Sequence, residues 1–195
     1  MQNKISIHRI AAIGMITALV FVSNYVQFFI STPFGANTRI HIANGICLLA
    51  ALLFGEYGGG IAAGLGSFLY DLTNPAYAAT SWVTFLLKFL LAFICGFVVY
   101  GNKKDMNKPV SFKRKLLGTA VGSLSYVVIY VAKLYIEQCL ILGLEVETVM
   151  MAVLTINLPI SLINACLAIP ISMLIYSAIS PALKKSGLSE RMNLR

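Results

Sequence analysis

Residues 83–100 read VTFLLKFLLAFICGFVVY, an apolar run that contains a single charge, Lys88. A helix of about 20 apolar residues is long enough to cross the hydrocarbon core of a bilayer. Further continuous apolar runs lie at residues 10–22 and 46–54. Strands of a membrane barrel would instead alternate apolar and polar residues, and lipid admits only helices or closed barrels. These runs therefore predict transmembrane helices.

The composition extends this prediction to the whole chain. The 195 residues are 58% hydrophobic and 11% charged, whereas soluble domains carry about 25% charged residues. We expect one transmembrane domain over residues 1–195, with no soluble domain. The net charge of +8 does not indicate nucleic-acid binding, because the basic residues flank the apolar runs as topology signals do.

On both sides of residues 83–100, the apolar runs and breakers predict an all-α integral membrane bundle of about six helices. The predicted helices cover residues 9–30, 40–54, 59–72, 82–100, 116–141 and 149–179. A tight turn at residues 55–58 joins the second to the third, and Pro159 and Pro170 interrupt the last. The second and third are shorter than a comfortable span, so they form either two tilted helices or a re-entrant hairpin.

The basic residues predict the orientation in the membrane. Twelve of the 15 lysines and arginines fall in three regions. These twelve are Lys4, Arg9, Lys103, Lys104, Lys108, Lys113, Arg114, Lys115, Lys184, Lys185, Arg191 and Arg195. Because cytoplasmic segments are enriched in basic residues, we expect both termini and the linker at residues 101–115 to be cytoplasmic, in a multi-pass protein of the cell membrane.

Several kinds of site have no sequence support. The four cysteines, Cys47, Cys95, Cys139 and Cys166, occur singly in apolar runs, so their spacing predicts neither a disulfide framework nor a metal site. The chain also lacks the GxxxxGK[ST] loop that binds nucleotide phosphates. We expect no metal, no cofactor and no ATP-driven motor within this chain.

Polar residues are concentrated in the half of the bundle predicted to face outward. Intramembrane polar groups are costly, so they usually face a protein interior or a cavity. In the fifth helix they repeat on one face, at Ser123, Tyr126, Tyr130, Lys133 and Glu137. Together with residues of the loops and of other helices, they predict a small-ligand pocket that opens outward. The predicted binding residues are Arg39, Asn74, Tyr77, Lys88, Tyr130, Lys133 and Asn164.

Structural roles compete with binding at several of these positions. Lys133 and Glu137 are four residues apart and can simply neutralise each other. For Asn74, which precedes a proline, the alternative to binding is a role as a turn residue alone. An ion pair between Asp71 and Lys88, and an interfacial anchor at Trp82, are further alternatives.

Small residues on the first helix predict a close helix contact. Ala11, Gly14 and Ala18 recur at spacings of three and four residues, and such small-xxx-small faces let helices approach closely. The third helix carries a similar pair, Gly60 and Gly64. The alternative to a partner interface is internal packing among the first three helices.

Three stretches of the sequence resemble a known family. They are residues 38–44 (TRIHIAN), residues 70–77 (YDLTNPAY) and residues 84–89 (TFLLKF). The chain resembles the substrate-binding S components of energy-coupling factor (ECF) vitamin transporters. The nearest branch is the riboflavin type, which includes hydroxymethylpyrimidine and pyridoxine carriers. The resemblance covers the whole chain in length, topology and charge pattern.

The resemblance implies a six-helix subunit that captures a B-type vitamin or related heterocycle near the outer face. It also implies partners, namely a transmembrane T component and two ATPase subunits. In this family small residues of helix 1 dock on the T component, so Ala11, Gly14 and Ala18 become the expected docking residues. The family pattern is AxxxA, whereas this chain has Gly14 and Ala18 at the equivalent spacing.

Two other functions stay open on the sequence alone. A passive facilitator or channel would also combine a pocket with no motor. A small intramembrane hydrolase would use Ser67, His41 and Asp71, but neither a G-x-S-x-G elbow nor an HExxH motif is present. We therefore expect a transport protein and not an enzyme.

Overall fold

The computed structural model describes residues 7–30, 38–75, 77–101 and 110–191. The helices are α1 (Ile7–Ser23), α2 (Ala43–Leu72), α3 (Ser81–Tyr100), α4 (Phe112–Tyr135), α5 (Val146–Ala152), α6 (Leu158–Lys185) and α7 (Leu188–Arg191). Two strands, β1 (Gln27–Ile30) and β2 (Thr38–His41), lie between α1 and α2. Of the predicted topology signals, Lys4, Lys103, Lys104, Lys108 and Arg195 lie outside the described residues.

Four helical stretches in the described part are long and apolar enough to cross a membrane. They are Ala43–Leu72, Ala78–Tyr100, Phe112–Ile141 and Val146–Lys185. The helix Ile7–Ser23 is also apolar but shorter. This confirms a helical membrane protein.

Helix α2 reverses direction at Gly55, whose φ of 77° and ψ of −165° are not helical. A Cβ atom built on Gly59 would lie 2.5 Å from the Cα atom of Ala51, which requires the chain to fold back on itself. The two arms of α2, residues 43–54 and 56–72, therefore lie side by side. The reversal occupies one glycine instead of the predicted four-residue turn, because only glycine readily adopts this positive φ.

The first helix is shorter than predicted, and the fold is not purely α-helical. The side chains of Ser23 and Asn24 both donate hydrogen bonds to the carbonyl of Val20, at 2.8 Å each, and these bonds end α1. The following residues, Gln27–Ile30, form β1, which pairs antiparallel with β2. The prediction of a helix through residue 30 was therefore wrong.

The last two predicted helices begin earlier than expected and contain irregular turns. The Ser111 side chain accepts a hydrogen bond from the backbone N–H of Arg114 and starts α4 at Phe112. The helix continues from α4 into a π-helical segment, Ile136–Ile141. A second π-helical segment, Val153–Asn157, connects α5 to α6.

The predicted interruption of the last helix is found at one of the two prolines. The π-helical segment ends two residues before Pro159, since proline donates no backbone hydrogen bond and its ring displaces the preceding turn. Pro170, in contrast, lies inside α6, and the helix continues past it to Lys185.

The bundle core surrounds α2, which packs against α1, α3 and α6. Its main cluster contains the fully buried side chains of Leu48, Leu52, Leu91, Cys95 and Val99. Near the Gly55 reversal, the guanidinium of Arg9 donates a hydrogen bond to the Phe54 carbonyl. At the other end of α2 lie the strands β1 and β2 and a cavity.

Candidate ligand-binding site

A cavity of about 390 Å³ opens where β2, the end of α2, the start of α3, α4 and α6 meet. Its size is in the range of small-molecule sites, which are usually concave and largely apolar with a few placed polar groups. The cavity is lined by Thr38, Arg39, His41, Asp71, Tyr77, Thr80, Thr84, Leu87, Lys88, Tyr126, Tyr130, Lys133, Leu134, Glu137, Gln138, Leu142, Leu144, Ser161 and Asn164.

Arg39, on β2, is held in a cage of aromatic and polar side chains. Its guanidinium lies 5.2 Å from the ring centroid of Tyr70 and 4.8 Å from that of Tyr77. It also donates hydrogen bonds to Asp71 Oδ1 at 3.4 Å and to Gln27 Oε1 at 3.1 Å. Stacking and ion pairing together fix the planar guanidinium at the cavity wall.

Asn164 of α6 binds the backbone of β2. Its Oδ1 accepts a hydrogen bond from the backbone N–H of His41 at 3.0 Å, and its Nδ2 donates to the Arg39 carbonyl at 2.8 Å. One amide side chain thereby satisfies two backbone groups, as a neighbouring strand would. Asn164 thus ties the strand that carries Arg39 to the last long helix.

Lys88 enters the cavity from α3 and is only 1% exposed. Its ammonium donates a hydrogen bond to Asn44 Oδ1 and lies 4.6 Å from the ring centroid of Tyr126. An ion pair between Lys88 and Asp71 is not formed, because Asp71 pairs with Arg39. The wall around Lys88 offers an amide oxygen and an aromatic face.

The polar face of the fifth predicted helix does line the cavity along α4. The rings of Tyr126 and Tyr130 stack with centroids 6.0 Å apart and an angle of 13° between their planes. One turn further on, Lys133 and Glu137 form an ion pair with both side chains partly exposed. Ser123, one turn below Tyr126, is buried and does not line the cavity.

His41 contributes an unsatisfied polar atom to the cavity. It is buried, and its Nδ1 has no hydrogen-bond partner within the described ranges. Burial, followed by the charges of Lys88 and Arg39, holds the pKa of His41 well below its ordinary value. The imidazole is therefore uncharged at neutral pH. Burial likewise raises the pKa of Tyr77.

The family of the chain follows from comparison with known proteins. Residues 4–181 match the family described as ECF-type riboflavin transporter, S component. The chain belongs to this S-component family. As an S component, it is a membrane-embedded transporter subunit of a substrate-binding family and not an enzyme.

A solved structure supports the fold of this S component. The structure described as "Structure and mechanism of the S component of a bacterial ECF transporter" aligns with a TM-score of 0.63 at 21% identity. The alignment covers 94% of this chain and 99% of the other. The comparison with curated proteins gives no match.

Six of the seven predicted binding residues of this S component line the one cavity described above. The six are Arg39, Tyr77, Lys88, Tyr130, Lys133 and Asn164. Asn74 does not line it; its carbonyl accepts hydrogen bonds from the backbone N–H groups of Tyr77 and Ala78, which is a turn role. Trp82 is 62% exposed and also lies outside the lining.

Other cavity residues were not among the predicted binding residues. They include Thr38, His41, Tyr126, Gln138 and Ser161. Tyr126 belongs to the polar face from which the pocket was predicted, although it was not chosen as a binding residue. Gln138 lies in the π-helical segment after α4, next to Glu137 of that face. His41 lies two residues after Arg39 on β2 and belongs to no motif, so its place at the cavity depends on the pairing of β2.

The residues considered for hydrolysis in this S component do not form a catalytic arrangement. Ser67 is fully buried, Asp71 is paired with Arg39, and His41 Nδ1 has no partner. A nucleophile and its base need to be within hydrogen-bonding reach. Within the described ranges, no group of three His, Cys, Asp or Glu side chains is placed to hold a metal ion.

The predicted docking residues lie on an open face of α1. Ala11, Gly14 and Ala18 are exposed, and a Cβ atom built on Gly14 would meet no atom within 4 Å. Internal packing uses another face of the helix, where Gly66 of α2 approaches the Thr17 carbonyl. Ala11, Gly14 and Ala18 therefore take no part in the packing between α1 and α2 that the structure describes.

Proposed function

We propose that this S component captures a B-type vitamin or related small heterocycle in the cavity and delivers it through a transmembrane T component and two ATPase subunits. The observation that carries the proposal is the cavity itself, which brings together polar and aromatic side chains from five elements of the fold. Such residues are costly in lipid and are retained where they serve binding.

The ligand-binding residues in this proposal are those predicted from the sequence. Arg39, Tyr77, Lys88, Tyr130, Lys133 and Asn164 surround the ligand directly. Asn74 contributes indirectly, because its carbonyl accepts the backbone hydrogen bonds of the turn that carries Tyr77. Tyr126 and His41 join them as residues that the fold adds to the wall.

The orientation of the proposed subunit places the cavity at the outer face and both termini in the cytoplasm. The basic side chains of Arg9, Lys115 and Lys184 belong to helix ends remote from the cavity, as the positive-inside rule requires. Six passes follow if α1, the two arms of α2, α3, α4 and the α5–α6 stretch each cross once.

Labelling with an impermeant thiol reagent in intact cells tests this orientation. On a background without the four native cysteines, Glu145→Cys should be labelled and Ser111→Cys should be protected. The reverse pattern would contradict the proposed orientation.

The filled interior below the cavity favours capture over passive flow. Along α3, the next turn after Lys88 carries Leu91, followed by Cys95 and Val99, all fully buried in the apolar core. A facilitator would need a polar path through this region. A capture subunit needs only one open end.

The exposed face of α1 is the proposed docking surface for the T component. Its small residues leave a shallow apolar surface on which another helix can pack closely. If this face of α1 contacted only lipid, small residues would give it no packing advantage over large ones.

Reconstitution with a T component and two ATPases tests the proposed function. The complex should copurify and take up a B-type vitamin or related heterocycle from a panel that includes riboflavin, pyridoxine, hydroxymethylpyrimidine and nicotinate. Gly14→Leu and Ala18→Leu should abolish uptake, whereas calorimetry should show unchanged vitamin binding to the isolated chain. Ala132→Leu, on an exposed position of α4, is the matched control. Loss of binding together with uptake, or uptake without ATPases, would contradict the proposal.

A further inference from the structure

The charges that line the cavity do not balance. Three cations line it, on Arg39, Lys88 and Lys133, against the two carboxylates of Asp71 and Glu137. Each carboxylate already has a partner: Asp71 pairs with Arg39, and Glu137 pairs with Lys133. One positive charge, that of Lys88, is left over.

The surroundings of Lys88 stabilise a cation without neutralising it. The Asn44 amide oxygen and the face of the Tyr126 ring both attract an ammonium group, but neither carries a negative charge. His41 adds no charge, since it is neutral. A buried charge usually has an opposite charge beside it, because the desolvation cost is otherwise large. Among the described residues, no carboxylate lies within ion-pairing distance of Lys88.

The depth of Lys88 in the cavity makes its charge available to a bound molecule. Lys88 is seven residues along α3 from Ser81, or about 10 Å at 1.5 Å per residue. Among the lining residues it is the furthest along α3, and Tyr126 is the furthest back along α4. The ammonium therefore lies at the inner end, below the stacked rings of Tyr126 and Tyr130.

We infer that the captured molecule is a small planar heterocycle with one carboxylate, and that Lys88 binds the carboxylate at the inner end of the cavity. The inference rests on the proposed function and names its substrate class. A single negative charge matches the single unpaired cation, and a planar ring matches the aromatic wall. The dianion of a phosphate ester would leave one charge unmatched.

Matched ligand pairs test this inference on the full chain in lipid nanodiscs. The probes are nicotinate against nicotinamide, and 4-pyridoxate against pyridoxine, with pyridoxine 5′-phosphate as the phosphate arm. Titration calorimetry at pH 7 should show that at least one carboxylate binds tenfold or more tightly than its neutral partner. The phosphate ester should bind no more tightly than the carboxylate.

Each alternative result identifies what fails. Equal or tighter binding of the neutral members, or tightest binding of the phosphate ester, overturns the inference and leaves the capture function standing. Binding of riboflavin or hydroxymethylpyrimidine without binding of any carboxylate also overturns the inference and leaves the capture function standing. If none of these molecules binds, the proposed function fails together with the inference.

Two substitutions test the role of Lys88. Lys88→Met removes the charge and should reduce carboxylate affinity at least tenfold, to the level of the neutral partner. Asn44→Asp keeps the lysine but places a carboxylate of the protein beside it. This variant should therefore also lose the preference for a carboxylate ligand over its neutral partner. Because Asn44→Asp changes almost no volume, it remains informative if Lys88→Met does not fold.

Lys184→Met, at an exposed position near the end of α6, is the matched control and should keep the preference. If Asn44→Asp binds the carboxylate as tightly as the unmodified chain does, the inference is overturned.

Discussion

At the cavity end, long polar and aromatic side chains hold neighbouring helices apart, whereas at the opposite end glycines let the helix backbones nearly touch. Lys88 and Tyr126 extend from α3 and α4 into the same space. Two turns further along α3, a Cβ atom on Gly96 would lie 2.5 Å from the backbone nitrogen of Glu56. Helix α3 thus borders an open site with α4 at one end and packs closely against α2 at the other.

Because the two ends are packed differently, substitutions at the base should affect folding, whereas substitutions at the cavity should affect binding. At the base, the contact is between backbones, which cannot move aside as a side chain can. At the cavity, the side chains already border empty volume, so a change there mainly alters what a ligand contacts.

The strongest effect is expected at the close-packed base. Gly96→Ala places a methyl group against Glu56, and overpacking of this kind costs about 3 kcal/mol. Since 1 kcal/mol changes the melting temperature by about 2–4 °C at this chain length, Tm should fall by about 6–12 °C. Thermal unfolding in detergent measures this fall in Tm. Gly14→Ala, at an open position, is the control, and equal Tm values for the two variants would refute the contrast.

A smaller effect, on binding, is expected at Asn164. Asn164→Ala leaves the His41 N–H and the Arg39 carbonyl without their partner, and an unsatisfied buried group costs about 1–3 kcal/mol. If ligand binding has to restore the position of β2, and with it that of Arg39, this cost is subtracted from the binding free energy. Affinity for the best-binding vitamin should fall about 5- to 150-fold by calorimetry. Asn157→Ala, one heptad earlier and outside the cavity lining, should stay within about twofold. Equal losses in both variants would show a general packing effect.

The cavity end should also be the more sensitive to acid. The pKa of His41 is lowered in the folded chain, whereas in the unfolded chain it titrates near its usual pKa of about 6.5. Below that pH the unfolded state binds more protons, so the unfolding free energy falls, by at most about 1.4 kcal/mol per pH unit.

Melting temperatures at pH 7.5 and 5.5 measure this effect. The Tm should be lower at pH 5.5, and His41→Gln should reduce the difference between the two values. The prediction fails if the variant shows the same difference as the unmodified chain.

The smallest effect is expected at the partly exposed pair of Lys133 and Glu137. Such pairs contribute about 0–1 kcal/mol, so Lys133→Met should weaken vitamin binding about fivefold or less. Adding Glu137→Gln should restore most of the loss, because it removes the unpaired carboxylate. A loss above about 100-fold that the second substitution does not restore would mean that Lys133 is a principal ligand contact.

Sequence patterns predicted the helices well where hydropathy and breakers decide them. The segment 82–100 differs from α3 by one residue at its start. Residues 24–30 (NYVQFFI) are mostly apolar, so hydropathy extended helix 1 too far. What makes β1 a strand is its pairing with residues 38–41, and a local pattern does not contain this information.

Residues of the site could be predicted from the sequence, but the ion pairs and hydrogen bonds between them could not. The energetic cost of exposing polar side chains to lipid was enough to predict that Lys88 and Asn164 face inward. It did not show that Asp71 pairs with Arg39 instead of Lys88, because that choice depends on how α2 and α3 pack. Nor did it show that Asn164 binds the backbone of β2.

The reversal at Gly55 has a consequence for how the protein enters the membrane. Residues 43–54 form an arm of about 18 Å and residues 56–72 one of about 25 Å, at 1.5 Å per residue. Both are shorter than the hydrocarbon core of about 30 Å. Neither arm alone is a strong insertion signal, so we expect the translocon to integrate them as one unit. During biogenesis, the longer stretch that contains α3 then acts as the anchor that retains this hairpin until the bundle closes around it.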